Sequence, residues 1–135
     1  MKYGFSGRKN DPAAASFAIA IRRLREALRE GDRSQTRSLL ITSALPGEGK
    51  TMLALNLALA AAAGGERVLL VDGDLTGRTL TNMLESGKNP GLLDLIEKRT
   101  ILSAALISAT ETGLSFLPAG TATSARLPVR RGRGL

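Results

Sequence analysis

Ser38-Leu39-Leu40-Ile41-Thr42-Ser43-Ala44-Leu45-Pro46-Gly47-Glu48-Gly49-Lys50-Thr51, running into the Ala- and Leu-rich residues 52–63, is the stretch that decides the fold. Residues 38–43 form an uncharged, largely apolar run that reads as a buried strand. A glycine-rich loop follows, then a helix whose apolar residues surround it nearly completely, so it is expected between a sheet and another layer. Gly64-Gly65 stops the helix, and Arg67-Val68-Leu69-Leu70-Val71-Asp72 reads as a second buried strand, a continuous apolar run of the kind parallel sheets use. Strand, loop, helix and strand in this order make a right-handed βαβ unit. The expected class is α/β, a Rossmann-like P-loop NTPase fold, incomplete here, with a mostly parallel sheet and helices on both faces. With 135 residues the chain is one small domain and short for a complete unit of this kind.

The loop between strand and helix has the chemistry of a phosphate seat. Phosphates are dense negative charge. A tight turn can aim several backbone N–H groups at them, and glycine permits both the turn and the close approach. The helix that follows adds the positive end of its dipole. Pro46, Gly47, Glu48, Gly49, Lys50, Thr51 and Met52 are therefore the candidate nucleotide-binding residues. Lys50 is placed to reach the β- and γ-phosphates, and the Thr51 hydroxyl to ligate Mg2+. Ala44 stands at the first glycine of the usual G-x-x-x-x-G-K-[ST] pattern. Asp72 and Asp74 follow at the C-terminal end of the second strand, where α/β sheets carry ligand chemistry. Two carboxylates two residues apart can hold magnesium through water or poise a hydroxyl for attack; Asp-Gly-Asp is also good turn composition.

Outward from this core, residues 1–12 read as a loose polar arm ending at Asp11-Pro12. In the helix expected over 13–30, Phe17, Ile21, Leu24 and Leu28 form one apolar stripe, Arg22, Arg25 and Arg29 share another face, and Gly31 is a candidate C-cap. Downstream, residues 79–85 and 91–97 read as short helices, 101–107 as a further helix, and 114–117 as a third strand. The apolar pattern fails after Gly120, and residues 121–135 read as a basic, disordered or frameshifted tail.

Composition narrows the chemistry. Hydrophobic residues make up 43% and charged residues 23%, a globular mixture. There is no Cys and no His, which excludes disulfides, the usual zinc sites, a cysteine nucleophile and a histidine base. The net charge is +7, but Arg126, Arg130, Arg131 and Arg133 all lie in the last ten residues. A basic end beside a nearly balanced domain, without aromatic stacking platforms, does not point to nucleic acid. No run reaches the ~20 apolar residues a membrane span needs, and no signal core follows the N-terminus.

Ser43–Thr51 taken with Leu55-Asn56-Leu57-Ala58 and Val68–Leu75 resembles the bacterial tyrosine kinase family, the P-loop autokinases that regulate capsule and exopolysaccharide export. The Pro-Gly-Glu-Gly-Lys loop and the Asp-x-Asp strand end carry the resemblance, and residues 91–96 and 114–120 are similar to later landmarks in the same order. It covers roughly residues 13–120. It implies a kinase that uses ATP and Mg2+ to phosphorylate tyrosines, chiefly its own C-terminal cluster, across a ring of subunits. It also implies a cytoplasmic location at the inner face of the plasma membrane, through a membrane-embedded polysaccharide co-polymerase. By position, Lys50 and Thr51 bind phosphate and magnesium, and Asp72 is the catalytic or metal-assisting carboxylate with Asp74 beside it.

The sequence departs from that pattern at several places. Thr76 stands where the family has arginine, with Arg78 nearby. Arg22 and Arg25 match two arginines of the family's oligomerisation helix, but Ile19 replaces its glutamate, which weakens the expected homo-oligomer. The Walker B strand and the tyrosine cluster are missing, and Tyr3 is the only tyrosine. Two other readings therefore stand beside the kinase. One is a partition- or division-site-type ATPase, whose early loop lysine is replaced by Leu45. The other is a nucleotide-binding module without catalysis.

Overall fold

The computed structural model describes residues 11–30, 36–109 and 112–121. Of the arm expected over 1–12, residues 1–10 lie outside the described residues, while Asp11 caps the first helix and Pro12 opens it. The Gly31 cap and residues 122–135 of the tail expected over 121–135 also lie outside them. The chain runs α1 (Pro12–Arg29), α2 (Lys50–Ala63), β1 (Val68–Val71), α3 (Thr79–Met83), α4 (Leu92–Ile96), α5 (Leu102–Ala105), β2 (Ile107–Ala109) and β3 (Leu114–Leu117).

Local chemistry explains the two long helices. Asp11 caps α1, its Oδ1 accepting the Ala13 N–H at 2.9 Å, and Pro12 occupies the first turn, where a missing N–H costs nothing. Ile21 is buried and Phe17 and Leu28 half-buried along the face toward α2, while Leu24 sits at the margin of the stripe. Alanine and leucine give α2 strong intrinsic helicity. It ends in a Schellman turn: Glu66 N–H donates to Ala61 O and Gly65 N–H to Ala62 O, with Gly65 at φ +86°.

The sheet has the order β1-β3-β2. β1 and β3 are parallel, with Leu70 opposite Phe116, and β2 joins β3 antiparallel, with Ser108 opposite Ser115. Leu55, Ala58 and Ala62 of α2 and Leu80 of α3 meet Leu70, Leu114 and Phe116 in one core. The layers are thus α1, α2 and sheet. The expected helix over 101–107 is divided: four residues form α5, and Ile107 already belongs to β2.

Two expectations about strands change. Residues 38–43 are not a buried strand: they join no ladder among the described residues, and Leu39 and Leu40 are 55% and 87% exposed. Apolar, β-compatible composition makes a segment able to pair, but pairing needs a neighbour, and among the described residues β1 is bonded only to β3. β1 itself is covered on one face only. Leu70 is buried, but Leu69 and Val71 point outward and are exposed.

Candidate nucleotide site

α2 and β1 are joined by four residues, so the chain reverses and the start of α2 lies at the same end of the unit as Asp72. Two glycines shape the loop before α2. Gly47 has φ +81° and Gly49, the residue capping α2, has φ +88°. A Cβ at either position would meet nothing within 4 Å, so glycine is needed there for the left-handed backbone and not for space. No side chain caps the first turn of α2, so its leading N–H groups remain available to an anion.

Side chains also hold the loop. Glu48 Oε2 accepts the Leu45 N–H at 3.0 Å, and the Ser43 hydroxyl donates to Leu45 O at 3.0 Å. Beside it opens a cleft of about 330 Å³, lined on one side by Glu48, Gly49 and Lys50 and on the other by Phe17, Ile41, Met52 and Leu53. Lys50, Thr51 and Met52 are half-buried, while Pro46, Gly47, Glu48 and Gly49 are exposed. Pro46, Gly47 and Thr51 do not line the cleft, nor do Asp72 and Asp74.

Asp72 is buried with both oxygens engaged. Oδ2 accepts from Thr81 N (2.8 Å) and the Thr81 hydroxyl (2.6 Å), and Oδ1 from Asp74 N (3.1 Å). Asp74 is half-buried, and its Oδ1 accepts the Gly77 N–H at 2.8 Å. A hard cation wants oxygen ligands, several of which phosphates and water can supply. The Thr51 hydroxyl in the first turn of α2 and the second oxygen of Asp74 fit that need. Among the described residues no group of three or more acidic side chains is positioned to cage a cation by itself.

Two further groups at this end escape sequence reasoning. Asp94 is buried and accepts from Gly91 N, Thr121 N and the Thr121 hydroxyl, each at 2.9 Å, and from Arg99 at 2.6 Å. Burial pushes its carboxyl upward, but the Thr121 N–H, the Arg99 guanidinium and the Gly91 N–H outweigh this and hold it well below the ordinary value. Arg78 sits at φ +49° and donates to Gly120 O and Gly87 O. The composition of 118–121 carries no hint of this clamp, because its partners lie 27 and 42 residues away. Arg25, one of the two arginines that the resemblance ties to oligomerisation, pairs with Glu66 in its own chain at 2.8 Å.

A glycine-shaped loop opening an uncapped helix, beside a strand that ends in two carboxylates, defines a P-loop nucleotide-binding domain. The chain belongs to the CobQ/CobB/MinD/ParA nucleotide binding domain family, whose model matches residues 39–121. It is similar to the succinoglycan biosynthesis transport protein ExoP of Rhizobium meliloti, 38% identical over 93 residues, which are 69% of this chain and 12% of ExoP. Tyrosine-protein kinase YwqD of Bacillus subtilis is 37% identical over 86 residues, 64% of this chain and 36% of YwqD. Among solved structures the VpsO kinase domain superposes with a TM-score of 0.72 at 33% identity, covering 82% of this chain and 54% of that domain. The chain thus spans a small part of these curated relatives and about half of that kinase domain. No helix among the described residues is long and apolar enough to cross a membrane.

Proposed function

We propose that this chain is the ATP-binding part of a protein-tyrosine autokinase regulating capsular or exopolysaccharide biosynthesis and export. The observation that carries the proposal is the loop 47–51, with both glycines left-handed and Lys50 opening α2. The kinds of protein the chain resembles, ExoP, YwqD and the VpsO kinase domain, support it. In this reading the N–H groups from Gly47 to Met52 cradle the phosphates of ATP. The Lys50 ammonium neutralises the β- and γ-phosphates, and the Thr51 hydroxyl holds Mg2+ with one of the strand-end carboxylates. The cation, when bound, stabilises charge developing on the transferred phosphoryl group. The protein would work in the cytoplasm, at the inner membrane face, through a polysaccharide co-polymerase partner. Arg22, exposed on α1, is the better placed of the two arginines to meet a neighbouring subunit.

A nucleotide-binding module without catalysis is the second reading. It is favoured by Asp72, which is buried and whose carboxylate accepts three hydrogen bonds from within the chain. Calorimetric titration of Mg-ATP onto the chain and its Lys50→Ala variant tests the shared core of both readings. The expected result is binding by the first and loss of about tenfold or more in the second, since a charge-assisted contact is removed. Equal affinities would overturn both. Phosphotyrosine at Tyr3 after incubation with ATP would favour the kinase, and its absence alongside binding the module.

A further inference from the structure

Thr81 of α3 is fully buried, and its hydroxyl stands between two other parts of the chain. It meets Asp72 Oδ2 at 2.6 Å and Ala119 N at 2.9 Å. An amide N–H can only donate, so the hydroxyl accepts from Ala119 and its own proton goes to the carboxylate. The bonds therefore run in one direction, from Ala119 N–H through Thr81 to Asp72. The Thr81 N–H adds a second donor to Oδ2, and Asp74 N–H supplies one to Oδ1. Three donors hold the buried Asp72 carboxylate in a fixed orientation and take three of its four acceptor sites, leaving one lone pair on Oδ1.

The bond from Asp74 N to Asp72 Oδ1 closes a tight turn over Asp72-Gly73-Asp74. Past it, Arg78 N–H donates to Asp74 O at 2.8 Å, and the Arg78 side chain reaches Gly120 O. Both sides of the turn are thus tied to the 118–121 segment, one through Thr81 and Ala119, the other through Arg78 and Gly120. Asp74 spends Oδ1 on Gly77 N, and its Oδ2 takes no hydrogen bond among the described residues.

We infer that Thr81 is a positioning residue, orienting Asp72 and through it the 72–74 turn, so that Asp74 is the carboxylate offered to the cation of a bound nucleotide. This rests on the phosphate-loop reading above. A threonine that merely fills the core would be replaced by valine at little functional cost. A threonine that orients the turn would not.

The test is a titration of a fluorescent ATP analogue onto the whole chain, with Mg2+ and with EDTA, together with thermal unfolding. Thr81→Val is expected to reduce the Mg2+-dependent gain in affinity about tenfold, the usual range for groups that orient a metal's ligands, at unchanged affinity in EDTA. Thr81→Ser restores the gain. Asp74→Asn removes it without changing Tm, whereas Asp72→Asn lowers Tm by about 4 °C or more. Should Thr81→Val fail to fold, the Asp72→Asn and Asp74→Asn pair decides the matter. A gain that survives in Thr81→Val, or is lost in Asp72→Asn at unchanged Tm and kept in Asp74→Asn, overturns the inference. Wild-type binding that ignores Mg2+ overturns it alone, while no wild-type binding in either condition overturns the phosphate-loop reading beneath it.

Discussion

Arg25 on α1 and Glu66, just past the end of α2, are joined at 2.8 Å from Nε to Oε1, with Arg29 approaching the same oxygen at 3.6 Å. The Arg25 side chain is 18% exposed and also lies over the Gly64 carbonyl. The bond fastens the outer helix to the βαβ unit 41 residues away. Replacing Arg25 by Ala is expected to lower stability by about 1 kcal/mol, partly through lost packing of the stem, because a partly exposed pair is worth little by its charge alone. Urea unfolding of Arg25→Ala, Glu66→Ala and the double variant measures it. The double variant should lose less than the sum of the two singles.

Gly91 lies against the backbone of the segment after β3. A Cβ placed on it would stand 2.2 Å from Pro118 O and 2.6 Å from Gly120 N, main-chain atoms that cannot turn aside. Its φ of −156° is ordinary extended backbone, so the need for glycine is purely spatial. Gly91→Ala is expected to cost about 1–3 kcal/mol and to loosen 118–121. Hydrogen exchange at Leu92 and Leu93, whose N–H groups donate to Pro118 O and Ala119 O, reports the loosening.

Asp94 makes stability depend on acid. Its carboxyl is held below the ordinary 3.8 in the folded chain, so the unfolded chain binds a proton first as pH falls. The stabilisation it contributes is complete above about pH 5 and shrinks progressively on acidification below about pH 4. Asp94→Asn is expected to be less stable by about 1–3 kcal/mol near neutrality, since an amide cannot accept from Gly91, Thr121 and Arg99 together. The gap between variant and wild type should narrow between pH 4 and pH 2, followed by denaturant melts at each pH. A gap independent of pH would remove the carboxylate from the account.

Leu55 and Leu40 separate the core from what only looks like core. Leu55 is 0% exposed between α2 and the sheet, and Leu40 is 87% exposed. Leu55→Ala should cost about 2–5 kcal/mol by leaving a cavity, while Leu40→Ser should stay within about 0.5 kcal/mol. Thermal unfolding distinguishes them readily.

That contrast marks where the sequence was legible. Helices α1 to α4 and strands β1 and β3 follow from periodicity, caps and breakers, all local signals. The phosphate loop is also local, a contiguous five-residue pattern between a strand-like and a helix-like run. Residues 38–43 were misread because their composition speaks for pairing and nothing in a linear reading supplies the neighbour. Asp72 was found by its place at the strand end, but its partner Thr81 sits nine residues on, and the closing donor, Ala119, 38 residues beyond that. Asp94 gave no signal of its own: a lone acid in a short helix is ordinary until Thr121 and Arg99 fold onto it.

The edge of β1 away from β3, which carries no strand among the described residues, and residues 38–43, which join no ladder there, bear on how the material behaves in a tube. Ser38–Ser43 is six residues without charge, proline or glycine, a composition that stacks readily with copies of itself. Leu69 and Val71 are exposed on β1, and no strand pairs with the edge of β1 away from β3 among the described residues. Concentrated solutions should therefore turn cloudy with a lag and seed one another, and the turbidity should bind a cross-β dye. Leu40→Lys, placing a charge in the middle of the run, should lengthen that lag while leaving the melting temperature where it was.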